Sequence, residues 1–153
     1  MSQTLDALAR MGLSLPPVPA PVASYVPAVI SGNTVTTSGQ LPLVDGALPV
    51  TGKVGAEVDP DTARDLARVC CLNALAAIAA EIDDLDRICR VVKLTGYVSS
   101  APSFTGQPGV INGASDLLGD IFAERGLHAR SAVGVAALPL DAPVELDLLV
   151  EFR

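Results

Sequence analysis

The chain has 153 residues and a formal net charge of −7; half of its residues are hydrophobic, aromatics make up 3%, and tryptophan is absent. That length suits a single domain over residues 1–153 with a full core, and the core must be built from Val, Leu, Ile and Ala. The acidic balance, with no basic run, argues against nucleic-acid binding, and no apolar run approaches the ~20 residues of a membrane span.

Residues 1–20 read as an N-terminal helix and a proline-rich strap. Ser2 is placed to cap a short helix, with Leu5, Leu8 and Met11 on one face and Gly12 as its stop. Pro16, Pro17, Pro19 and Pro21 then predict an extended segment lying over the domain. Tyr25–Ile30 and Asn33–Ser38 read as two strands about a Ser31-Gly32 turn. Gly39 ends the second strand, where the lack of a side chain allows close approach of a ligand or another backbone. Asp45-Gly46 is a turn, followed by a loose excursion over residues 48–54.

Asp59-Pro60 is a helix start, a capping Asp and then Pro in the first turn, and the helix is expected to run to Glu81. Ala63, Leu66, Ala67, Cys70, Ala74, Ala77 and Ile78 form its apolar stripe, with Asn73 as a structural hydrogen-bonding residue. Asp83, Asp84 and Asp86 read as a solvated acidic loop without the spacing of a calcium site. Ile88–Val98 is a strand rich enough in β-branched residues to predict burial on both faces. A second long helix begins near Val110, turns Ile111, Ala114, Leu117, Leu118, Ile121 and Phe122 inward, and stops at Gly126. Asn112 lies in its first turn. The final strands, Arg130–Leu138 and Val144–Phe152, read as an antiparallel hairpin; in the last one Val144, Leu146, Leu148, Val150 and Phe152 alternate with Glu145, Asp147, Leu149 and Glu151. Two helices cover only one side of such a sheet, so burial of the other side by further copies is expected.

The cysteines, Cys70, Cys71 and Cys89, form no Cys-x-x-Cys pair, and His128 is the single histidine, so no metal site is expected. The odd cysteine count suits a reducing compartment. The start, Met1-Ser2-Gln3-Thr4-Leu5-Asp6, lacks the basic-then-apolar order of a signal peptide. A cytoplasmic protein is the expectation.

The chemistry concentrates in His128–Pro139 and Ala142–Leu146. Arg130 stands at the entry of an apolar strand, and a guanidinium there needs an anion, because it never sheds its charge. Two readings stand. Arg130 is either a structural ion-pair or snorkelling edge residue, or it grips a substrate carboxylate through two parallel hydrogen bonds. Glu145, early in the last strand, lies far from Arg130 in a regular hairpin. The two meet only across a bulge or across an interface between copies.

Thr37-Ser38-Gly39-Gln40-Leu41-Pro42, Ala129-Arg130-Ser131, Leu138-Pro139 and Val144-Glu145, with Tyr25-Val26 and Gly32-Asn33 before them, resemble the RidA/YjgF family across roughly residues 20–153. The N-terminal helix and Ile111-Asn112-Gly113-Ala114-Ser115-Asp116 are similar to a longer branch that carries an endoribonuclease label. The resemblance implies an α+β fold of the chorismate-mutase-like type: a mixed β-sheet with two long helices on one face, an extra N-terminal helix, and a homotrimer with sites between subunits. It implies a hydrolytic deaminase of small 2-imino and 2-enamine acids that gives 2-keto acids and ammonia and needs no cofactor. Arg130 would clamp the carboxylate and Glu145 would position water. Ser38 and the Gly39 carbonyl would orient nitrogen or water, and Tyr25 and Asn112 would close the pocket. Several family members carry Cys two residues after the motif arginine; here that residue is Ala132, whose backbone N–H remains available to a carboxylate. The N-terminal helix, the longer loop before Asn112 and His128 beside Arg130 are features that would reshape the pocket, although His128 is read first as a solvent-exposed loop-end residue. The alternative is a non-catalytic trimer that binds a keto acid; ribonuclease activity is disfavoured by the charge.

Overall fold

A computed structural model of the chain describes residues 2–18, 21 and 23–153. Pro19 of the strap lies outside the described residues. The elements in order are α1 (Gln3–Arg10), β1 (Ala28–Ser31), β2 (Thr34–Thr37), α2 (Pro60–Ile82), β3 (Ile88–Ser99), α3 (Gln107–Phe122), β4 (Ala129–Val135) and β5 (Val144–Phe152). α2 starts as its sequence predicts: Asp59 accepts a hydrogen bond from the Thr62 amide, with Pro60 in the first turn. Asn73 also takes its expected role, donating from Nδ2 to the carbonyls of Leu41 and Leu43 at 3.0 and 3.1 Å. α3 begins three residues earlier than expected, because Pro108 sits in its first turn rather than in the preceding loop. It also ends before Gly126: Ala123 takes positive φ, and a 3-10 turn carries the chain on to that glycine.

One five-stranded sheet runs in the order β1-β2-β5-β3-β4. β5 pairs antiparallel with both β2 and β3, and β4 pairs parallel with β3. The expected hairpin of the last two strands does not form. β3, α3 and β4 instead make a β-α-β crossover, the connection that parallel neighbours need. That places β4 at the sheet edge and lets β5 cross back to the centre. The central place suits β5, whose Val144, Leu146, Leu148 and Val150 are all fully buried.

β3 is likewise not buried on both faces within the chain. Val91, Leu94 and Val98 turn toward the helices, while Lys93, Thr95 and Tyr97 lie with Glu145 and Asp147 on an open face. The helix-covered face is close-packed. A Cβ on Gly96 would stand 2.4 Å from Ile111 Cδ1, and one on Gly113 would stand 2.0 Å from the Arg64 carbonyl oxygen, so glycine sets the approach of α3 to both β3 and α2.

The N-terminal helix is docked differently from the expectation. Leu8 is buried and Met11 packs on the core, but Leu5 is 47% exposed. Thr4 and Ala7 complete the inward face. Ser2 occupies the cap position, yet its hydroxyl donates to Asp84. The cap comes from elsewhere: the Asp86 carboxylate accepts from the Gln3 amide, the Thr4 amide and the Thr4 hydroxyl at 2.6–2.8 Å. The acidic loop is thus a clasp for α1. At the other end Gly12, at φ +71°, closes a Schellman turn, with the Leu13 amide bonded to the Leu8 carbonyl and the Gly12 amide to that of Ala9.

Two outcomes follow from this packing. Gly113→Ala should push α3 off α2. The clash is with backbone, so overpacking at roughly 1–3 kcal/mol outweighs the ~1 kcal/mol of helix propensity gained. At roughly 2–4 °C per kcal/mol, calorimetry should read a melting point lower by several degrees. Burial raises the Asp86 pKa, but the Thr4 and Gln3 hydrogen bonds outweigh it and hold the carboxyl below its usual value. A depressed folded-state pKa means its stabilisation is present above the unfolded value and is lost as pH falls through the folded one. Amide hydrogen exchange should therefore show α1 opening with acidification, and Asp86→Ala should open it already at neutral pH.

Candidate functional site

The side chains singled out in the sequence fall into two groups on opposite faces of the sheet. Arg130 pairs with Leu94 and so points toward α3. Its Nη1 donates to Asn112 Oδ1 at 2.7 Å and to Ser115 Oγ at 3.2 Å. Asn112 and Ser115 lie one turn apart on α3 and meet the same side chain for that reason. His128 is half-buried rather than exposed at a loop end: Nδ1 lies 2.6 Å from the Gly126 carbonyl oxygen and Nε2 lies 3.0 Å from Ser115 Oγ. Ala132 follows Arg130 on the same face of β4 and packs against the core.

Among the described residues no carboxylate stands within ion-pair distance of Arg130; the one ion pair joins Arg64 and Asp116. Both Nη1 hydrogens are occupied, which leaves the Nε–H and Nη2 edge of the guanidinium for a ligand. That edge matches a carboxylate in two parallel hydrogen bonds. The intrachain ion-pair reading of Arg130 thus has no partner in the described chain.

The second group surrounds Glu145. β2 and β5 are in register at Thr36↔Leu149, yet the next bridge is Gln40↔Leu146, so one extra residue is accommodated between them. Such a bulge re-aims side chains. Gly39 lies inside it, and a Cβ there would fall 1.9 Å from Glu145 Oε1. The close approach expected at Gly39 is therefore made by the Glu145 carboxylate. Ser38 is held by the turn before β1, with its hydroxyl donating to the Val26 carbonyl at 2.6 Å and its amide to that of Pro27. Tyr25 is partly exposed in the bend leading to β1.

The electrostatics of the open face come from partial burial. Desolvation, then the charge of Asp147, pushes the Glu145 carboxyl above its usual value. Asp147 is raised by desolvation against the opposing hydrogen bond from Tyr97 and charge of Lys93. Tyr97 donates its hydroxyl to Asp147 at 3.0 Å. A carboxylate held in this way is a better proton acceptor than a solvated one.

Within one chain the two groups do not meet. Arg130 pairs with Leu94 and Glu145 with Tyr97, three residues further along β3 and on its other side. At ~3.3 Å per residue and ~4.8 Å per strand, their Cα atoms are on the order of 14 Å apart, and their side chains leave opposite faces. Ser115, Tyr97 and Asp147 were not anticipated. Ser115 was legible as the residue one helical turn from Asn112. The Tyr97–Asp147 contact was not, since it depends on β5 pairing with β3.

Comparison with known proteins places the chain among relatives of similar length. The family model described as "YjgF/chorismate_mutase-like, putative endoribonuclease" matches residues 6–152. Protein TCP17 of Trypanosoma cruzi is 48% identical over 95% of this chain and 92% of its own. A 2-iminobutanoate/2-iminopropanoate deaminase of Dermatophagoides farinae is 32% identical over 90% and 93%. The crystal structure of Atu1372 from Agrobacterium tumefaciens, described as of unknown function, superposes with a TM-score of 0.92 at 46% identity, covering 99% of this chain and 93% of that one. The mixed sheet with its helices on one face is thus a known architecture, and the chain is a member of the RidA/YjgF family.

Proposed function

We propose that the protein hydrolyses small 2-imino acids, and their enamine tautomers, to 2-keto acids and ammonia. The observation that carries the reading is the Arg130 guanidinium, held by Asn112 and Ser115, with no carboxylate partner among the described residues and with its two-pronged edge free. That is the arrangement a carboxylate-bearing substrate requires. The deaminase name of relatives near 30% identity supports the reaction class.

In this reading the substrate carboxylate docks on Arg130. A water adds its oxygen to the imine carbon as Glu145 takes one water proton and passes it to the imine nitrogen, giving a neutral carbinolamine. Its O–H proton then passes by way of Glu145 to the amino nitrogen, the oxygen lone pair forms the C=O bond, and ammonia leaves with the C–N electron pair, giving the keto acid. Glu145 suits this step because partial burial and the Asp147 charge raise its pKa and so its basicity. Ser38 and the Gly39 carbonyl orient nitrogen or water, Asn112 and Tyr25 border the pocket, and the Ala132 amide gives the carboxylate a further donor. The chemistry draws on no metal.

Since Arg130 and Glu145 diverge within one chain, the reading joins the Arg130 group of one subunit to the Glu145 group of the next in a homotrimer. Val29, 54% exposed, and Val133, 43% exposed, stand on the uncovered face and give it apolar surface to bury. The same divergence favours one competitor, a binding-only protein that uses Arg130 alone.

Ammonia release from freshly generated 2-aminoacrylate tests the reaction. Arg130→Ala removes one member of a desolvated charge pair, a loss of roughly 2–5 kcal/mol, so pyruvate binding should weaken at least ~25-fold at about 1.4 kcal/mol per tenfold. Glu145→Gln should keep pyruvate binding and abolish turnover. Pyruvate binding in a wild type that releases no ammonia selects the binding-only competitor. Glu145→Gln should also melt higher than wild type at neutral pH. A raised folded-state pKa contributes stability that is complete below the unfolded value and lost as pH rises through the folded one, and glutamine mimics the protonated form. The advantage should shrink as pH falls below the ordinary glutamate range.

Light scattering at micromolar concentration should give three times the monomer mass. A monomer would remove the intersubunit site.

A further inference from the structure

We propose that Ser115 and His128 are positioning residues for Arg130: the imidazole fixes the direction of the Ser115 hydroxyl, and that hydroxyl, with Asn112, fixes the plane of the guanidinium. The direction of every bond follows from its terminus. The Gly126 carbonyl only accepts, so His128 Nδ1, 2.6 Å away, carries a hydrogen. In the neutral ring Nε2 is then an acceptor, and Ser115, 3.0 Å away, donates to it. With its hydrogen committed there, Ser115 Oγ turns lone pairs toward Arg130 Nη1 at 3.2 Å. The bonds run one way, from Arg130 through Ser115 and His128 to a backbone carbonyl, and each polarises the next.

The anchor of this chain is rigid. Gly126 is buried against the end of α3, where a Cβ would come within 2.3 Å of the Leu118 carbonyl oxygen. No side chain but glycine lets the loop sit there, and His128 follows two residues later. Asn112 Oδ1, at 2.7 Å, takes the other Nη1 hydrogen. Two fixed acceptors on one nitrogen define the guanidinium plane and aim its opposite edge outward. Pre-setting this edge lowers the ordering cost of gripping a carboxylate. Ser115 acts through Arg130 and His128 acts through Ser115, so both are positioning residues and neither is catalytic. The consequence for ligand affinity rests on the clamp reading of Arg130; the geometric claim does not.

The test uses the full chain. Side-chain nitrogen NMR at low temperature should show separate Nη1 and Nη2 signals for Arg130, assigned by their loss in Arg130→Lys. Ser115→Ala and His128→Leu should merge them through faster rotation. Ser115→Thr keeps the hydroxyl and His128→Gln keeps an acceptor near Nε2, so both should leave the signals separate. Backbone amide spectra confirm that each variant is folded. Pyruvate binding should weaken roughly 3- to 10-fold in the first two variants, the loss of one hydrogen bond, and little in the second two. Unmerged signals in Ser115→Ala and His128→Leu overturn the inference, as does merging in the conservative pair. Merging as expected, in a protein that binds no pyruvate even as wild type, upholds the positioning and sinks the carboxylate clamp instead.

Discussion

The burial of one side of β5 is the constraint on which the rest of the molecule depends. Val144, Leu146, Leu148 and Val150 are all removed from solvent beneath the helices. At ~1.5–3 kcal/mol for each fully buried aliphatic side chain, this alternate set fixes the register of β5 against both neighbours, since a one-residue slip would turn all four outward. Because side chains alternate, the same burial obliges Glu145 and Asp147 to emerge in the middle of the uncovered face. There they are partly desolvated and close to each other, and both carboxyl pKa values rise. The chemical character of the open face is thus a by-product of how the core is packed.

How far the sequence reveals this differs from element to element. The alternation in β5, the Asp59-Pro60 start of α2 and the inward stripe of α3 are local patterns, and each appears in the structure with those residues in those places. The sheet order is not local. Val144 follows β4 after a short connection, so a hairpin was the natural expectation, and nothing within β4 itself opposes it. What opposes it is competition: β5 buries more by lying between β2 and β3 than beside β4, while β4 is already claimed by β3 through the α3 crossover. The α1 clasp escapes sequence reading for a related reason. Ser2 was the nearest capping residue in the chain, but an aspartate from the loop before β3 supplies stronger, charge-assisted bonds.

The candidate site divides along the same line. Arg130, Asn112, Gly39 and Glu145 stand out as residue types in unusual settings, and the structure gives each a specific environment. Gly39 is the clearest case, because its missing side chain is replaced in space by the Glu145 carboxylate. The surroundings of Arg130 were harder to foresee. His128 reads as a loop-end residue because it stands between the Gly126 helix stop and the strand that begins at Arg130, and its neighbours Leu127 and Ala129 are exposed in the fold. Its ring turns inward because two acceptor-donor partners, the Gly126 carbonyl and Ser115, come from a turn and a helix that meet only after α3 packs.

The separation of Arg130 from Glu145 has its own logic. An arginine and a glutamate placed together in one chain would pair, and a buried pair of that kind resists opening because each charge is stranded when the other leaves. Such a pair would hold the guanidinium edge closed to a substrate carboxylate and would lower the glutamate pKa, weakening it as a base. With the two on opposite faces, Arg130 is saturated on one nitrogen by neutral acceptors only, and Glu145 feels Asp147 rather than a cation as its nearest charged influence. Each group keeps the property its proposed role requires until something brings the two faces together. In the trimer proposed here a neighbouring subunit does so, and the substrate carboxylate then stands between the two groups, neutralising Arg130 before Glu145 can.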